Sequence, residues 1–482
     1  MAYLHGVESE EIPQSVRPVR EVPMGIVGLV GTAPIHLLDP EHRTIHEPVQ
    51  VLHGRDMAKK LGPERPGFTI PRAQRTIFGE GGGRTFVVNV FDPATHKQSV
   101  SDESLTLSSD GTATTANPDI ISLTLTSDDG GTSYTRDADF TLDQATGTIT
   151  RLADGQIPEG ASLTASYEYA DPSLVSPADI IGGVTDGGDR TGMQAWLDCF
   201  NLFGTFPKIC IAPVYATQAS VVSALRQVIA EKKCKAVAYA DAPIGTTRDD
   251  AIKGRGPEGD INFNVADERI GLLYPHLEGY NRVTERTELF PYSAAMAGIR
   301  ARTDREKGVH VSASNEDIRT ATGVERRLSA RVNDPDSDVN KLNEAGIITV
   351  FNNFGSGLLT WGNRSSAWPS STAQDQFIQT RRTFDELTDS IEYWALQYID
   401  GPVTQSRIEG VIQSVQAYLN AKIDEGALLP GAKIEFLPER NPPEQLAAGH
   451  VVWTLTRVAT PPMERMTFEH ITELDHLTNL YK

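Results

Sequence analysis

GIVGLVGTAP (Gly25–Pro34) is the stretch on which the fold turns. Its Val/Ile run, broken by glycines, reads as a buried strand. Just upstream, Pro13, Pro18 and Pro23 recur at five-residue spacing, with Ile12, Val16, Val19 and Val22 between them. Each proline disfavours helix in the residue before it. Residues 1–24 therefore read as an extended arm with no core of its own, which must lie against something or add to a sheet edge. Downstream come helices around Met57–Leu61 and Ala73–Phe78, a break at Gly79–Gly83, and a returning strand, RTFVVNVFDP (Arg84–Pro93). Residues 25–95 make a small α/β domain.

Over residues 96–175 Ser, Thr, Asp and Gly dominate and cations nearly vanish. ISLTLTS (Ile121–Ser127) alternates with period two. YTRDADFTLDQATGTITRL (Tyr134–Leu152) reads as two strands joined by a turn at Ala145–Gly147, and ASLTASYEYAD (Ala161–Asp171) as another strand. This is an inserted all-β domain of sandwich or small-barrel type. Its acids Asp128, Asp129, Asp137, Asp139 and Asp143 read as a solvated surface, since they lack the regular ligand spacing of a calcium loop.

Residues 176–370 alternate helices and apolar strands. KICIAPV (Lys208–Val214) and KAVAYADAP (Lys235–Pro243) are strands around the helix in QASVVSALRQVIAEKK (Gln218–Lys233). Such alternation favours an α/β layer with a partly parallel sheet. Residues 371–465 are helical and then β. Phe377, Phe384, Leu387, Ile391, Trp394, Leu396 and Tyr398 fall close to one stripe of a first helix, and Ile408, Val411, Ile412, Val415, Leu419 and Ile423 stand at helical spacing in a second. KIEFLPE (Lys433–Glu439) and HVVWTLTRVATPPMERMTFEHITEL (His450–Leu474) read as strands, and residues 466–482 as a C-terminal arm. The fold class is thus a multi-domain combination of α/β and α+β: α/β core layers, an inserted all-β domain and extended terminal β-arms.

The 482 residues carry a formal charge of −20. That argues against nucleic acid as a partner, because phosphate binding wants clustered Lys and Arg, and it disfavours an anionic membrane surface. The three cysteines, Cys199, Cys210 and Cys234, show no CxxC spacing and read as reduced, buried thiols. No run reaches the roughly 18–20 apolar residues of a membrane span, so no direct membrane insertion is expected. The opening MAYLHGVESEEIPQ has acid where a signal peptide is basic and then apolar.

Each chemical motif has a plainer structural reading. The glycines of Gly79–Gly83 follow a helix and precede a strand, the reverse of a phosphate cradle, and read as a helix cap and turn. Gly28 and Gly31 make no GxGxxG. Asp304, His310 and Ser312 stand close in sequence, but triads are assembled by the fold, not by chain proximity. Arg302 and Asp304 read as an ion pair ordering a core or junction. Trp361, Trp368, Trp394 and Trp453 read as packing anchors. No catalytic residue, cofactor or metal is expected.

Several segments, taken in order, resemble the contractile tail sheath proteins of bacteriophages. GIVGLVGTAP after a proline-rich arm resembles their start, and DPSLVSPADIIGG (Asp171–Gly183) the opening of their large domain. AGIRARTDREKGVHVSASN resembles a family stretch through Gly298, Ala301, Arg302, Asp304 and Gly308. LNEAGIITVFNNFGSGLLTWGNRS resembles another through Leu342, Asn343, Gly346, Ile347, Trp361, Gly362 and Arg364. RRTFDELTDSIEY (Arg381–Tyr393) resembles the helix opening the C-terminal domain. The resemblance implies a structural subunit, not an enzyme, that polymerises as stacked hexameric rings around a tail tube protein and contracts. It implies a place in the virion tail after assembly in the host cytoplasm, with baseplate and tail terminator proteins as neighbours, or a place in a capsid-less device such as a tailocin. It implies strand exchange between subunits through both arms, by Ile12, Val16, Val19 and Val22 at one end and Phe468, Ile471 and Leu474 at the other. It places the C-terminal domain innermost, so Arg381, Arg382, Arg407 and Lys422 are candidate tube-docking cations. A cytoplasmic α/β enzyme is the distant alternative.

Overall fold

The structure, a computed structural model, describes residues 18–352, 355 and 357–481. The chain enters through β1 (Val27–Gly31), β2 (Pro48–Val51), α1 (Gly54–Leu61), α2 (Thr69–Gly79) and β3 (Thr85–Asn89). It then leaves the core for β4 (Lys97–Thr106), β5 (Thr112–Thr114), β6 (Ile120–Ser127), β7 (Ser133–Tyr134), β8 (Phe140–Asp143), β9 (Thr148–Arg151) and β10 (Ser162–Ala170). It returns with α3 (Pro177–Ile181), α4 (Cys199–Phe203), β11 (Ile209–Ile211), α5 (Ala219–Val228), β12 (Val237–Asp241), α6 (Arg248–Arg255) and β13 (Ile270–Leu273). A hairpin, β14 (Leu277–Asn281) and β15 (Arg286–Phe290), leads to α7 (Tyr292–Lys307), β16 (Gly323–Val324), α8 (Asp338–Glu344), β17 (Ile347–Asn352) and β18 (Leu358–Trp361). The C-terminal part holds α9 (Ile378–Ala395), α10 (Gln405–Asp424), β19 (Lys433–Glu435), α11 (Pro443–Ala447) and β20 (Thr454–Thr456).

Eight strands form one sheet in the order β18-β17-β13-β12-β11-β1-β3-β2. The six inner strands are parallel, and β2 and β18 close the edges antiparallel. Every residue of β1, β3, β11, β12 and β13 is buried. A sheet covered on both faces needs apolar residues at successive positions, which is why these strands show no alternation. At Gly28 a Cβ would come 2.8 Å from the side chain of Pro207, in the loop leading into β11, so the close approach of that loop requires glycine there.

This sheet corrects the division between residues 25–95 and 176–370. β1 lies between β3 and β11, and one hydrophobic core runs from Ile26 to Ile378. The two segments are halves of one layer, because parallel neighbours can be supplied from far along the chain. Residues 97–170 between them form separate antiparallel sheets, β4-β10-β6-β7 and β5-β9-β8, over a core that includes Leu125, Phe140, Ile149 and Leu163. The excursion starts and ends side by side, with Lys97 paired to Ala170. It is clasped to the main body where Arg65 Nε donates to Asp119 Oδ1 at 2.8 Å.

The glycine-rich break is a helix end, since α2 stops at Gly79. Its neighbour Glu80 is fully buried and accepts from the backbone N–H groups of Arg319 and Thr320 and from the Thr320 hydroxyl. The expected Arg302–Asp304 pair is not formed. Arg302 reaches Glu80, while Asp304 binds Arg300 and Arg382, because positions two apart on a helix face different ways. The long strand read over His450–Leu474 reduces to β20. Beyond it the backbone makes one antiparallel bridge, Ala459 to Leu428, and past Thr460 no described strand pairs with it, since propensity alone does not hold a strand.

Candidate assembly interface

α9 carries two faces. Phe384, Leu387, Ile391 and Trp394 enter a small core shared with Val415 and Leu419 of α10 and Leu455 of β20. Arg382, Asp385 and Asp389, spaced three to four residues apart, are buried on the side facing the α/β body. There the two aspartates meet cations that each lead into a strand: Lys208 before β11, Lys235 before β12 and Arg269 before β13. Lys208 pairs with Asp389 at 2.5 Å, Lys235 with Asp389 at 2.9 Å, and Arg269 with both oxygens of Asp385. Three adjacent parallel strands thus present basic residues at their amino ends, and α9 lies across that edge. These cations were missed in the sequence, although one basic residue just before each of three apolar runs was a legible signal.

Arg382 is fully buried, bound to Asp304 and donating to Met24 O at 2.7 Å. It cannot be a docking cation. Burial would raise the Asp304 carboxyl, but the Arg300 and Arg382 guanidiniums outweigh it and hold it below its ordinary value. Lys422 is also withdrawn. It is buried among Glu21 at 2.5 Å, Glu425 at 3.0 Å and Glu386 at 3.4 Å. Burial pushes the Glu386 carboxyl up to about 7, against the pull of Lys422. Arg381 is partly buried and paired with Asp385 and Asp375. Arg407 alone of the four is exposed. Sequence periodicity marked these residues as the polar side of a helix, but it does not say that the polar side is covered too.

Of the N-terminal arm residues, Ile12 and Val16 lie outside the described residues. Val19 packs on the C-terminal core of its own chain, and Val22 N donates to Ser390 Oγ at 3.1 Å. Residues 18–24 are held along α9 by side chains, not by strand pairing. The C-terminal arm is different. Glu464 is gripped by Arg364 through both carboxylate oxygens, at 2.8 and 2.5 Å. Past that anchor Met466, Phe468, Ile471, Leu474, Leu477, Leu480 and Tyr481 are between 55% and 90% exposed. A run of large apolar side chains in water marks an interaction segment. Phe468 and Ile471 lie in no regular element, and Leu474 begins a 3-10 helix, Leu474–Tyr481.

The C-terminal part also holds an open sheet edge. β19 and β20 form a two-stranded sheet with Ile434 opposite Leu455. The far side of β19 is closed by Gln416, which accepts from Ile434 N and donates to Ala432 O. Antiparallel partners face alike, so Leu455 turns its N–H and C=O to the outer side of β20. Among the described residues no strand covers that side.

An enzyme reading would look to the carboxyl ends of the parallel strands. A cleft of about 520 Å³ does lie there, lined by Phe68, Pro213, Val214, Ile244, His276 and Phe290 among others. Its ionic groups are already paired, Arg72 with Glu288 at 2.7 Å and Arg75 with Glu64 at 3.0 Å, and no Ser or Cys lines it. Asp304, His310 and Ser312 do not form a triad either, since Asp304 is taken by two arginines. Cys199, Cys210 and Cys234 are free and buried, with burial pushing their thiols up.

Residues 188–366 match the phage tail sheath protein central domain and residues 370–471 the phage tail sheath C-terminal domain. Residues 93–176 match a family described as a protein of unknown function. The chain is 45% identical over 480 residues to the tail sheath protein of Burkholderia phage BcepMu, across 99% of this chain and 98% of that one. Its fold is similar to the helical sheath of the anti-feeding prophage in its contracted state, with a TM-score of 0.59 at 17% identity over 98% of this chain and 100% of that one. It is similar also to the contracted sheath complex of the extracellular contractile injection system PVC, with a TM-score of 0.61 at 13% identity over 99% of each.

Proposed function

This chain belongs to the phage tail sheath family, and from that membership we propose how it builds a contractile sheath. It is a structural subunit, not an enzyme, of the tail of a phage or phage-like particle, and it assembles as a helical polymer. Its copies stack as hexameric rings around a tail tube, between a baseplate and a tail terminator, and assemble in the host cytoplasm. The same subunit suits a particle with a capsid or a capsid-less injection device.

The observation that carries this reading is an apolar arm and an open β20 edge in one chain. Strand addition would satisfy both at once, because main-chain bonds close the edge and the arm's side chains leave water. Phe468 and Ile471 supply the exchanged strand, with Leu474 opening the helix that follows it, while Val19 and Val22 tie the other end to its own C-terminal helices. Connections of this kind survive rotation of whole subunits, so contraction can proceed as a rigid-body rearrangement that lowers free energy by burying more surface. Arg407 is the remaining candidate for tube docking.

Negative-stain electron microscopy of the chain mixed with its tube protein tests the reading. Striated tubes wider than the bare tube support it. A small uniform particle that ignores the tube protein would overturn it. Arg407→Glu should abolish co-sedimentation with the tube; unchanged co-sedimentation removes Arg407 from the docking surface.

A further inference from the structure

The C-terminal arm ends in the 3-10 helix Leu474–Tyr481. Residues three apart eclipse one another in such a helix, so Leu474, Leu477 and Leu480 form a single apolar row, and all three are exposed. A second apolar row stands at the turn joining α9 to α10, where Leu396, Ile399 and Val403 are exposed around one tip among the described residues.

We propose that in the polymer the terminal helix of one copy packs its leucine row on the α9–α10 tip of a second copy. This rests on the strand-addition reading and adds to it a side-chain site. Two features select a second copy as occupant. The first is reach. The arm leaves its own chain at Glu464, and the ten residues from there to Leu474 span at most about 33–36 Å when extended. Such a span can carry the terminal helix well clear of the Arg364 anchor. The second is continuity. Tyr398 of the tip and Leu455 of β20 pack on the same small core, so an arm seated on the β20 edge carries its terminal helix towards the tip.

Oxidative cross-linking tests this with full-length chains, because the three native cysteines are buried and contribute little background. Copies carrying only Ile399→Cys are mixed with copies carrying only Leu477→Cys before assembly on the tube protein. A disulfide-linked heterodimer in the assembled sheaths, absent from either variant alone, is the expected result. Sheaths visible by electron microscopy without the heterodimer overturn this inference and leave strand addition standing. A cross-link to the tube protein instead, or a cross-linked monomer from a copy carrying both cysteines, also overturns it. If unmodified chains form no sheath at all, the strand-addition reading falls first and takes this with it. As a second readout, Leu477→Asp with Leu480→Asp should cause loss of sheath assembly with no change in melting temperature, since both positions are exposed. Normal assembly of that double variant argues against the site.

Discussion

Asp304 on α7 and Arg382 on α9 are joined at 2.6 Å, and both side chains are almost wholly buried. The pair ties the central and C-terminal parts of the chain, with Arg300 completing the charge balance. Removing one partner from a buried pair leaves an uncompensated charge, at a cost of about 3–5 kcal/mol. Asp304→Asn should therefore lower unfolding free energy by that amount in urea titrations, whereas Arg407→Glu on the exposed face should stay within about 0.5 kcal/mol of the parent. An Asp304→Asn protein as stable as the parent would mean that the arginines find other partners.

Glu386 gives a pH dependence of unusual sign. Its carboxyl lies at about 7 in the folded chain against an ordinary 4.5. Between those values the folded state holds more protons than the unfolded one, so its contribution is full below the ordinary value and is lost as pH rises through 7. Glu386→Gln should be nearly neutral at pH 5 and stabilising at pH 8, by an amount on the order of a few kcal/mol. Equal effects at both pH values would show that Lys422 keeps the carboxylate charged throughout.

Truncation after Thr467 should leave the melting temperature unchanged and abolish polymer formation. The removed side chains that are described stand in water, so the monomer loses no core contact. Analytical ultracentrifugation separates the cases: long polymers from the truncated chain would rule out exchange through this arm.

Residues 93–176 expressed alone should fold with a cooperative thermal transition. They hold their own core, and Lys97 and Ala170 pair at the exit. Arg65→Ala in the full chain should leave that core intact but release both Asp119 and the Ala145 carbonyl of the inserted unit, visible as faster proteolysis near residues 93–96 and 171–176. A featureless melt of the isolated segment would show that it depends on the main body.

Local residue pattern determined much of this protein without the fold. The runs in Val27–Gly31, Ile209–Ile211 and Val237–Asp241 are apolar enough to be buried strands wherever they sit, and the composition of residues 96–175 sets the inserted β-domain apart. Periodicity also placed α9 and α10 and the stripe that joins them, because side-chain spacing is a property of each helix alone. Tertiary structure decided what those patterns meet. That β1 lies between β3 and β11, making one sheet from two distant segments, depends on non-local pairing that no single segment encodes. That Arg382 and Lys422 are buried while Arg407 is exposed depends on which polar faces a neighbour covers, and charge itself is silent on that point. The apolar arm was legible as sequence. Only the fold shows that Gln416 closes one edge of the β19–β20 sheet while no strand among the described residues covers the other, because an edge exists only once strands have paired.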